Sequence, residues 1–220
     1  MARMARLVVP GCPHHITQRG SRRQQFFFSD DDYLAYLSLM RSALVKCRIE
    51  VWAYCLMPNH VHWVVVPGDV DSLRIFFSEG HRRYARRINR REGWRGHLWQ
   101  ERSHSFAMDE AHNFAAVRYV EQNPVRADLR VQPDAWRWSS AKAHLAGMSD
   151  DLVHVEPMLK RAPDWGAYLE GRDPKSVYDS IHRHAATGRP LGNAGFIEKL
   201  EAETGLRIRP AKPRPPPRDK

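Results

Sequence analysis

From residue 13 the apolar positions of the chain switch between two periods, and the switches mark out its elements. PHHITQR predicts a short strand, followed by the arginine-bearing turn GSRRQQ and by FFF. In DDDYLAYLSLMRSALVKC the period becomes helical. Leu34, Leu37, Met40, Leu44 and Val45 fall on one face expected to be buried, and Ser29 and Asp30 are N-cap candidates. VWAYCLM and HVHWVVV are rich in β-branched and aromatic residues and are separated by Pro58-Asn59; runs joined by so short a turn pair as antiparallel neighbours. A second helix is predicted from Asp71 to about Glu92, with Leu73, Phe76, Phe77, Gly80, Tyr84 and Ile88 on one side. The Gly- and Trp-rich connection GWRGHLWQERSHS leads to a short strand around SFAM and to a third helix, DEAHNFAAVRYVEQN, stopped by Pro124.

Strands and helices alternate, yet the strand pair is antiparallel, so the expected class is α+β, an antiparallel sheet flanked by helices. After residue 130 the pattern weakens. WRWSSAKAHLAG reads as a short helical segment, residues 145–187 as loops and modest helices, and the end of the chain as a proline-rich basic stretch of extended backbone. The expected division is a sheet-and-helix domain over 1–132, a helical extension over 133–187 and a basic tail over 188–220. No apolar run approaches the ~18 residues of a membrane span, and the LVV near the start is too short for a secretory signal. The expected location is therefore the cytoplasm. Cys12, Cys47 and Cys55 fit neither a zinc pattern nor a disulfide framework and are expected as reduced core residues.

Charge narrows the class of partner. Lys and Arg number 35 against 25 Asp and Glu, a net charge of +10, which favours a polyanion, nucleic acid before an anionic membrane. Within HRRYARRINRR, Arg82, Arg83, Arg86, Arg87, Arg90 and Arg91 form a broad basic helix surface suited to phosphate contacts. Arg19, Arg22 and Arg23 cluster after the first strand, and Arg209, Lys212, Arg214, Arg218 and Lys220 charge the tail.

The candidate chemistry starts at His60 and His62. Alternation along a strand points both imidazoles one way, at most ~7 Å apart, while Val61, Trp63 and Val65 point into apolar packing. Such a pair can converge on one metal ion or can be satisfied by hydrogen bonds at a sheet edge, and a metal site needs a further ligand. On the third helix Tyr119 and Asn123 are four apart and share a face. Asn123 offers the carbonyl oxygen that hard cations accept. Tyr119 beside a cation is a potential nucleophile, because the cation stabilises the phenolate. Equally, Tyr119 reads as a half-buried helix aromatic and Asn123 as a C-terminal helix residue. Tyr33, Tyr36, Tyr54, Tyr84, Tyr168 and Tyr178 have no plausible ligand one turn away.

The succession PGCPHHITQRG, AYCLMPNHVHWVV, GHLWQERSHSF and VRYVEQNPVRADL resembles the REP-associated tyrosine transposases of the single-tyrosine HUH transposase superfamily, over roughly residues 5–132. GRPLGNAGFIEKLE is similar to the C-terminal extension of that branch. The resemblance implies a ferredoxin-like sheet flanked by helices, with a helical and extended C-terminal extension. It implies that His60 and His62 ligate Mg²⁺ or Mn²⁺ and that Tyr119 attacks a DNA phosphodiester. The product is a 5′-phosphotyrosyl enzyme and a free 3′-hydroxyl. It further implies single-stranded or hairpin DNA of the REP type as substrate, DNA contacts from the arginines above together with Arg102, a monomer or homodimer, and a nucleoid-associated location. The superfamily commonly has a glutamine four residues after the tyrosine as third ligand; here that position is Asn123, with Gln122 one earlier, about 60° farther round the helix at ~100° per residue. Two other readings stand beside this one. The first is a catalytically weak DNA-binding protein for palindromic repeats. The second is a histidine-pair metallohydrolase using water, which predicts acidic or histidine ligands soon after the pair that WVVVPG does not supply.

Overall fold

The computed structural model describes residues 6–209; Lys212, Arg214, Arg218 and Lys220 of the basic tail lie outside the described residues. Four strands, β1 (His14–Arg19), β2 (Ile49–Met57), β3 (His60–Pro67) and β4 (His104–Ala107), form one sheet in the order β2-β3-β1-β4. Every pairing is antiparallel, and the β2–β3 hairpin closes on Pro58-Asn59 with Met57 opposite His60. Helices α1 (Asp30–Leu44) and α2 (Ser72–Glu92) cover one face, where Trp63 meets Tyr36, Phe76 and Phe77. Helix α3 (Glu110–Glu121) covers the other, bringing Tyr119 to His62. This is the α+β arrangement expected from the sequence.

Two expectations need correction. On α1 the buried apolar residues are Tyr33, Tyr36, Leu37, Met40 and Ala43, whereas Leu34 is 50% and Val45 89% exposed. The phase of the helix is set by its tyrosines. Tyr33 stacks between Phe27 and Trp138, with centroids 4.2 and 4.5 Å away, and the Tyr36 hydroxyl meets His81 Nε2 at 2.9 Å; two aromatic rings bury more surface than the leucines they displace. The third helix also ends earlier than expected. It stops at Glu121, and Asn123 opens a separate turn, α4 (Asn123–Arg126). Pro124 has no N–H and its ring excludes the carbonyl four residues back, so it is tolerated only in the first turn of a new helix. Tyr119 and Asn123 therefore straddle a junction.

Beyond α4 the chain adds α5 (Ala141–Ala146), α6 (Glu156–Leu159), α7 (Trp165–Glu170), α8 (Lys175–Thr187) and α9 (Ala194–Thr204). Trp136, Trp138, Val153, Trp165, Ile181 and Leu191 join the same apolar core as the sheet. The segment also satisfies the sheet's edges. Leu56 N–H donates to Trp138, Ser140 N–H to Tyr54 and His154 N–H to Val51 along β2, and Leu191 N–H donates to Ala107 on β4. Covered edges leave few unpaired backbone groups to template association. Among the described residues no helix is long and apolar enough to cross a membrane.

One buried carboxylate joins these parts. Glu121, at the end of α3, accepts hydrogen bonds from Ser140 Oγ at 2.5 Å, His144 Nδ1 at 2.6 Å and Trp165 Nε1 at 2.8 Å. Ser140 Oγ is itself within hydrogen-bond distance of the backbone N–H and carbonyl of Tyr54 on β2. Replacing the carboxylate leaves His144 Nδ1 and Trp165 Nε1 buried without an acceptor, while Ser140 Oγ keeps only the Tyr54 carbonyl. Glu121→Ala is expected to lower the unfolding free energy by roughly 3–5 kcal/mol, measured by urea titration at neutral pH; a loss under about 1 kcal/mol would show that the network does not hold α3.

Candidate active site

The sheet face under α3 carries His15, Thr17 and Arg19 of β1 and His60 and His62 of β3. The register sets Thr17 opposite His62 and Arg19 opposite His60, so alternate residues of the two strands share that face. Above them α3, α4 and α8 close a cleft of about 610 Å³ lined by His15, Arg19, Arg23, His60, His62, Tyr119, Asn123, Arg126 and His182. The His60 and His62 rings are 4.9 Å apart, and Tyr119 lies 5.6 Å from His62 and 6.0 Å from His15. The Arg126 guanidinium sits 4.1 Å from the centre of the Tyr119 ring.

Local bonds fix which nitrogens face the cleft. Asn59 Nδ2 donates to the Arg23 carbonyl, which turns Asn59 Oδ1 toward His60 Nδ1 at 2.7 Å. A carbonyl oxygen only accepts, so Nδ1 of His60 holds the proton and Nε2 keeps its lone pair. The turn that supplies this carbonyl is strained, with Arg22 at φ 54° and Arg23 at φ 62°, a backbone region that non-glycine residues rarely occupy. His62 Nδ1 lies 3.1 Å from His15 Nε2, which leaves its Nε2 for the cleft. Burial drives both imidazoles toward the neutral form. It lowers His60 to about 3, with Arg19 adding to the effect, and takes His62 well below 6.5, helped by His60, His15, Arg126 and Arg19. Burial pushes the Tyr119 phenol up from its ordinary 10, against the pull of the Arg126 charge.

Two neutral imidazoles with free lone pairs are ligand-ready, as metal binding requires. Among the described residues no three His, Cys, Asp or Glu side chains are arranged to hold a metal ion, so a third protein ligand beside the two imidazole nitrogens would be of another kind, such as an amide oxygen. Asn123 fits that need. It is buried, lines the cleft, and its Nδ2 has no hydrogen-bond partner, so its carboxamide is not fully engaged by the protein. Gln122 turns away instead and donates to the Leu169 carbonyl on α7.

The arginines picked out in the sequence divide between two surfaces. Arg19 and Arg23 line the cleft, with Arg22 exposed on the same turn. Arg83, Arg86, Arg87, Arg90 and Arg91 line a groove of about 810 Å³ against α1, on the opposite layer of the molecule. Part of that charge is balanced within the chain. Arg82 and Arg83 pair with Glu79, and Arg91 holds the buried Asp32 through two contacts of 2.5 and 3.0 Å. Arg102 is exposed beside a smaller hollow near His81 and Trp99. Trp136 and Trp138 are core residues, while Trp94 is exposed beside Phe28. His15, Asn59, Arg126 and His182 were given no role by sequence reasoning. His15 and Asn59 sit inside recognisable strand motifs, and Arg126 two residues after Pro124. His182 lies in the weakly patterned region and had no local signal.

A family model described as Transposase IS200 like matches residues 8–123. A solved structure of a REP-associated tyrosine transposase bound to a REP hairpin is 21% identical, with a TM-score of 0.55, over 70% of this chain and 93% of that one. A putative transposase from Deinococcus radiodurans is 20% identical, with a TM-score of 0.39, over 55% of this chain and 97% of that one. No curated protein matches.

The desolvated histidines make stability depend on pH. Burial lowers His14 to about 4 and His15, His60 and His81 to about 3, and it lowers His62 as well. Above 6.5 these rings are neutral whether the chain is folded or not. Below 6.5 the unfolded chain binds protons that the folded chain refuses, so stability falls with acid until the folded values are reached. The unfolding free energy is expected to drop by about 1.4 kcal/mol per pH unit for each such histidine, read from urea titrations between about pH 7 and 5. A flat profile over that window would contradict the burial.

Proposed function

This chain belongs to the IS200-like transposase family, and we propose from that premise that it cuts and rejoins single-stranded DNA through Tyr119. The observation that carries the reading is the approach of the Tyr119 ring to within 5.6 Å of His62, in a cleft shared with His60, Asn123 and three arginines. Tyr119 Oη attacks a phosphodiester and leaves a 5′-phosphotyrosyl link with a free 3′-hydroxyl. The bond energy stays in that link, so a 3′-hydroxyl can reverse the step and join strands without ATP. Water need not be activated, which separates this reading from a metallohydrolase.

Mg²⁺ or Mn²⁺ bound by His60, His62 and Asn123 would polarise the scissile phosphate and offset its charge in the transition state. The chain's own residues do the rest. Asn59 and His15 hold the two imidazoles by their Nδ1 atoms, so that both Nε2 lone pairs face the cleft. Arg126 lies over the phenol ring and favours its ionised form. Arg19 and Arg23, with Arg22 beside them, hold phosphates of the strand in the cleft. Arg82, Arg83, Arg86, Arg87, Arg90 and Arg91 on the outer layer, and Arg102 at its end, grip a duplex stem by its backbone without reading bases. A hairpin offers both a stem and a single strand, and the relative solved with a REP hairpin supports that class of substrate. The histidine pair and Tyr119 belong to the part over residues 1–132; the extension over 133–187 adds the α8 wall of the cleft, and the basic stretch over 188–220 follows. The protein acts as a monomer or a homodimer, and its DNA substrate draws it to the nucleoid.

The test is a labelled single-stranded hairpin incubated with the protein and Mg²⁺ or Mn²⁺, then a denaturing gel. A covalent adduct is expected that vanishes in Tyr119→Phe, and also in His60→Ala and His62→Ala while their DNA affinity stays within about threefold, because phosphate contacts dominate binding. Binding without an adduct in the unaltered protein favours a catalytically weak DNA-binding protein; cleavage that survives Tyr119→Phe favours hydrolysis by water. Calorimetry gives an independent reading of the metal site. Asn59→Ala is expected to weaken Mn²⁺ binding about 10–100-fold, the usual cost of losing the group that orients a ligand histidine, and unchanged affinity would remove Asn59 from the site.

A further inference from the structure

We propose that His182 is the proton acceptor for Tyr119, a catalytic residue supplied by α8 from outside the 8–123 stretch that the family model covers. The inference rests on the reading of Tyr119 as the nucleophile. His182 Nε2 lies 3.4 Å from Tyr119 Oη, and the two rings meet edge to face with centroids 5.7 Å apart. The helix that carries it is anchored on both sides of that position. Ile181 is buried in the core, the Ala185 carbonyl meets His104 Nδ1 at 2.8 Å, and His184 Nδ1 meets the Arg189 carbonyl at 2.8 Å. The other imidazoles of the cleft are differently engaged. His60 is turned by Asn59, His62 and His15 face each other, and His104 is held between the Ala185 carbonyl and Glu101.

The chemistry calls for such a group. A buried phenol holds its proton more tightly than a free one, and a neutral phenol is a poor nucleophile. Arg126 stabilises the phenolate but cannot take the proton. The groups facing His182 are Tyr119 on α3, Arg126 on α4, Arg19 and His15 on β1, His104 paired with Glu101 at β4, and Asp179 on its own helix. Burial first, then Arg126 and Arg19, outweigh Asp179 and hold the ring below 6.5, so it is neutral and able to accept at physiological pH.

In the step, the proton moves from Oη to Nε2 as the Oη–P bond forms and the P–O3′ bond breaks. The electron pair leaves with O3′, which takes a proton from water. On rejoining, the 3′-hydroxyl gives its proton to water, its oxygen displaces Oη from phosphorus, and the imidazolium returns a proton to Oη.

The test uses the full chain, a labelled hairpin oligonucleotide and saturating Mn²⁺, with single-turnover adduct formation followed against pH for the unaltered protein, His182→Ala and His182→Gln. The unaltered protein is expected to reach its plateau by about pH 6.5, whereas both variants are about 10²–10⁴-fold slower at neutral pH, with rates that climb as pH rises. Added imidazole is expected to speed His182→Ala more than His182→Gln, whose side chain fills the space. DNA and Mn²⁺ affinities and the melting temperature report whether each variant is folded and loaded. Variants as fast as the unaltered protein, or faster, would make His182 a cover over the nucleophile. Slow variants with an unchanged pH profile and no rescue would make it a packing residue. Either result overturns the proposal alone. Absence of an adduct from the unaltered protein overturns the nucleophile reading with it, and is recognised because it precedes any comparison of variants.

Discussion

The cleft exists because two neighbouring strands keep their register. β1 and β3 place Arg19 opposite His60 and Thr17 opposite His62, and the two-residue period gathers His15, Thr17, Arg19, His60 and His62 on one side of the sheet. The other side collects Ile16, Val61, Trp63 and Val65, all buried. A slip of one residue in β3 would turn His60 and His62 into the apolar layer and Val61, Trp63 and Val65 toward the cleft. The packing of Trp63 against Tyr36, Phe76 and Phe77 therefore also fixes the direction in which the histidines point.

A second constraint acts from behind α3. The helix bears Tyr119 on the side facing the sheet, and Glu121 ties its end to α5, α7 and, through Ser140, to β2. The same segment that pins α3 also covers both edges of the sheet and delivers α8 to the rim of the cleft. Stability and the arrangement of the site are thus properties of one shared core. Among the residues after 130, those of α8 form one wall of the cleft.

Electrostatics separates the protein into two cationic surfaces on opposite layers. In the cleft, Arg19, Arg23 and Arg126 sit beside imidazoles that burial keeps neutral, so the positive charge there is carried by the arginines. On the outer layer, Asp32, Glu79 and Glu92 engage Arg91, Arg82 and Arg83, while Arg86, Arg87 and Arg90 line the open groove beside α1. A polyanion that reaches both surfaces has to pass around an edge of the sheet.

Much of this was legible in the chain itself. Strong local periodicity located β1 to β4 and the apolar stripe of α2, and the motifs around His60, His62 and Tyr119 carried the family that the 8–123 match shows. Where local signals conflicted, they misled. Leu34 and Val45 of α1 lost the buried face to tyrosines whose partners, Phe27, Trp138 and His81, lie far apart in sequence, and the helix expected to run up to Pro124 ends at Glu121, with Asn123 opening the next turn. The sequence determined its strands, its class and the residue types at the site, because those follow from short-range period and chemistry. Only the tertiary structure decided that Asn59 turns His60, that Gln122 faces away while Asn123 faces in, that the α2 arginines lie on the layer opposite the cleft, and that His182 meets Tyr119. Each of these is a contact or a relative placement set by how whole elements pack, and no pattern within a few residues encodes it.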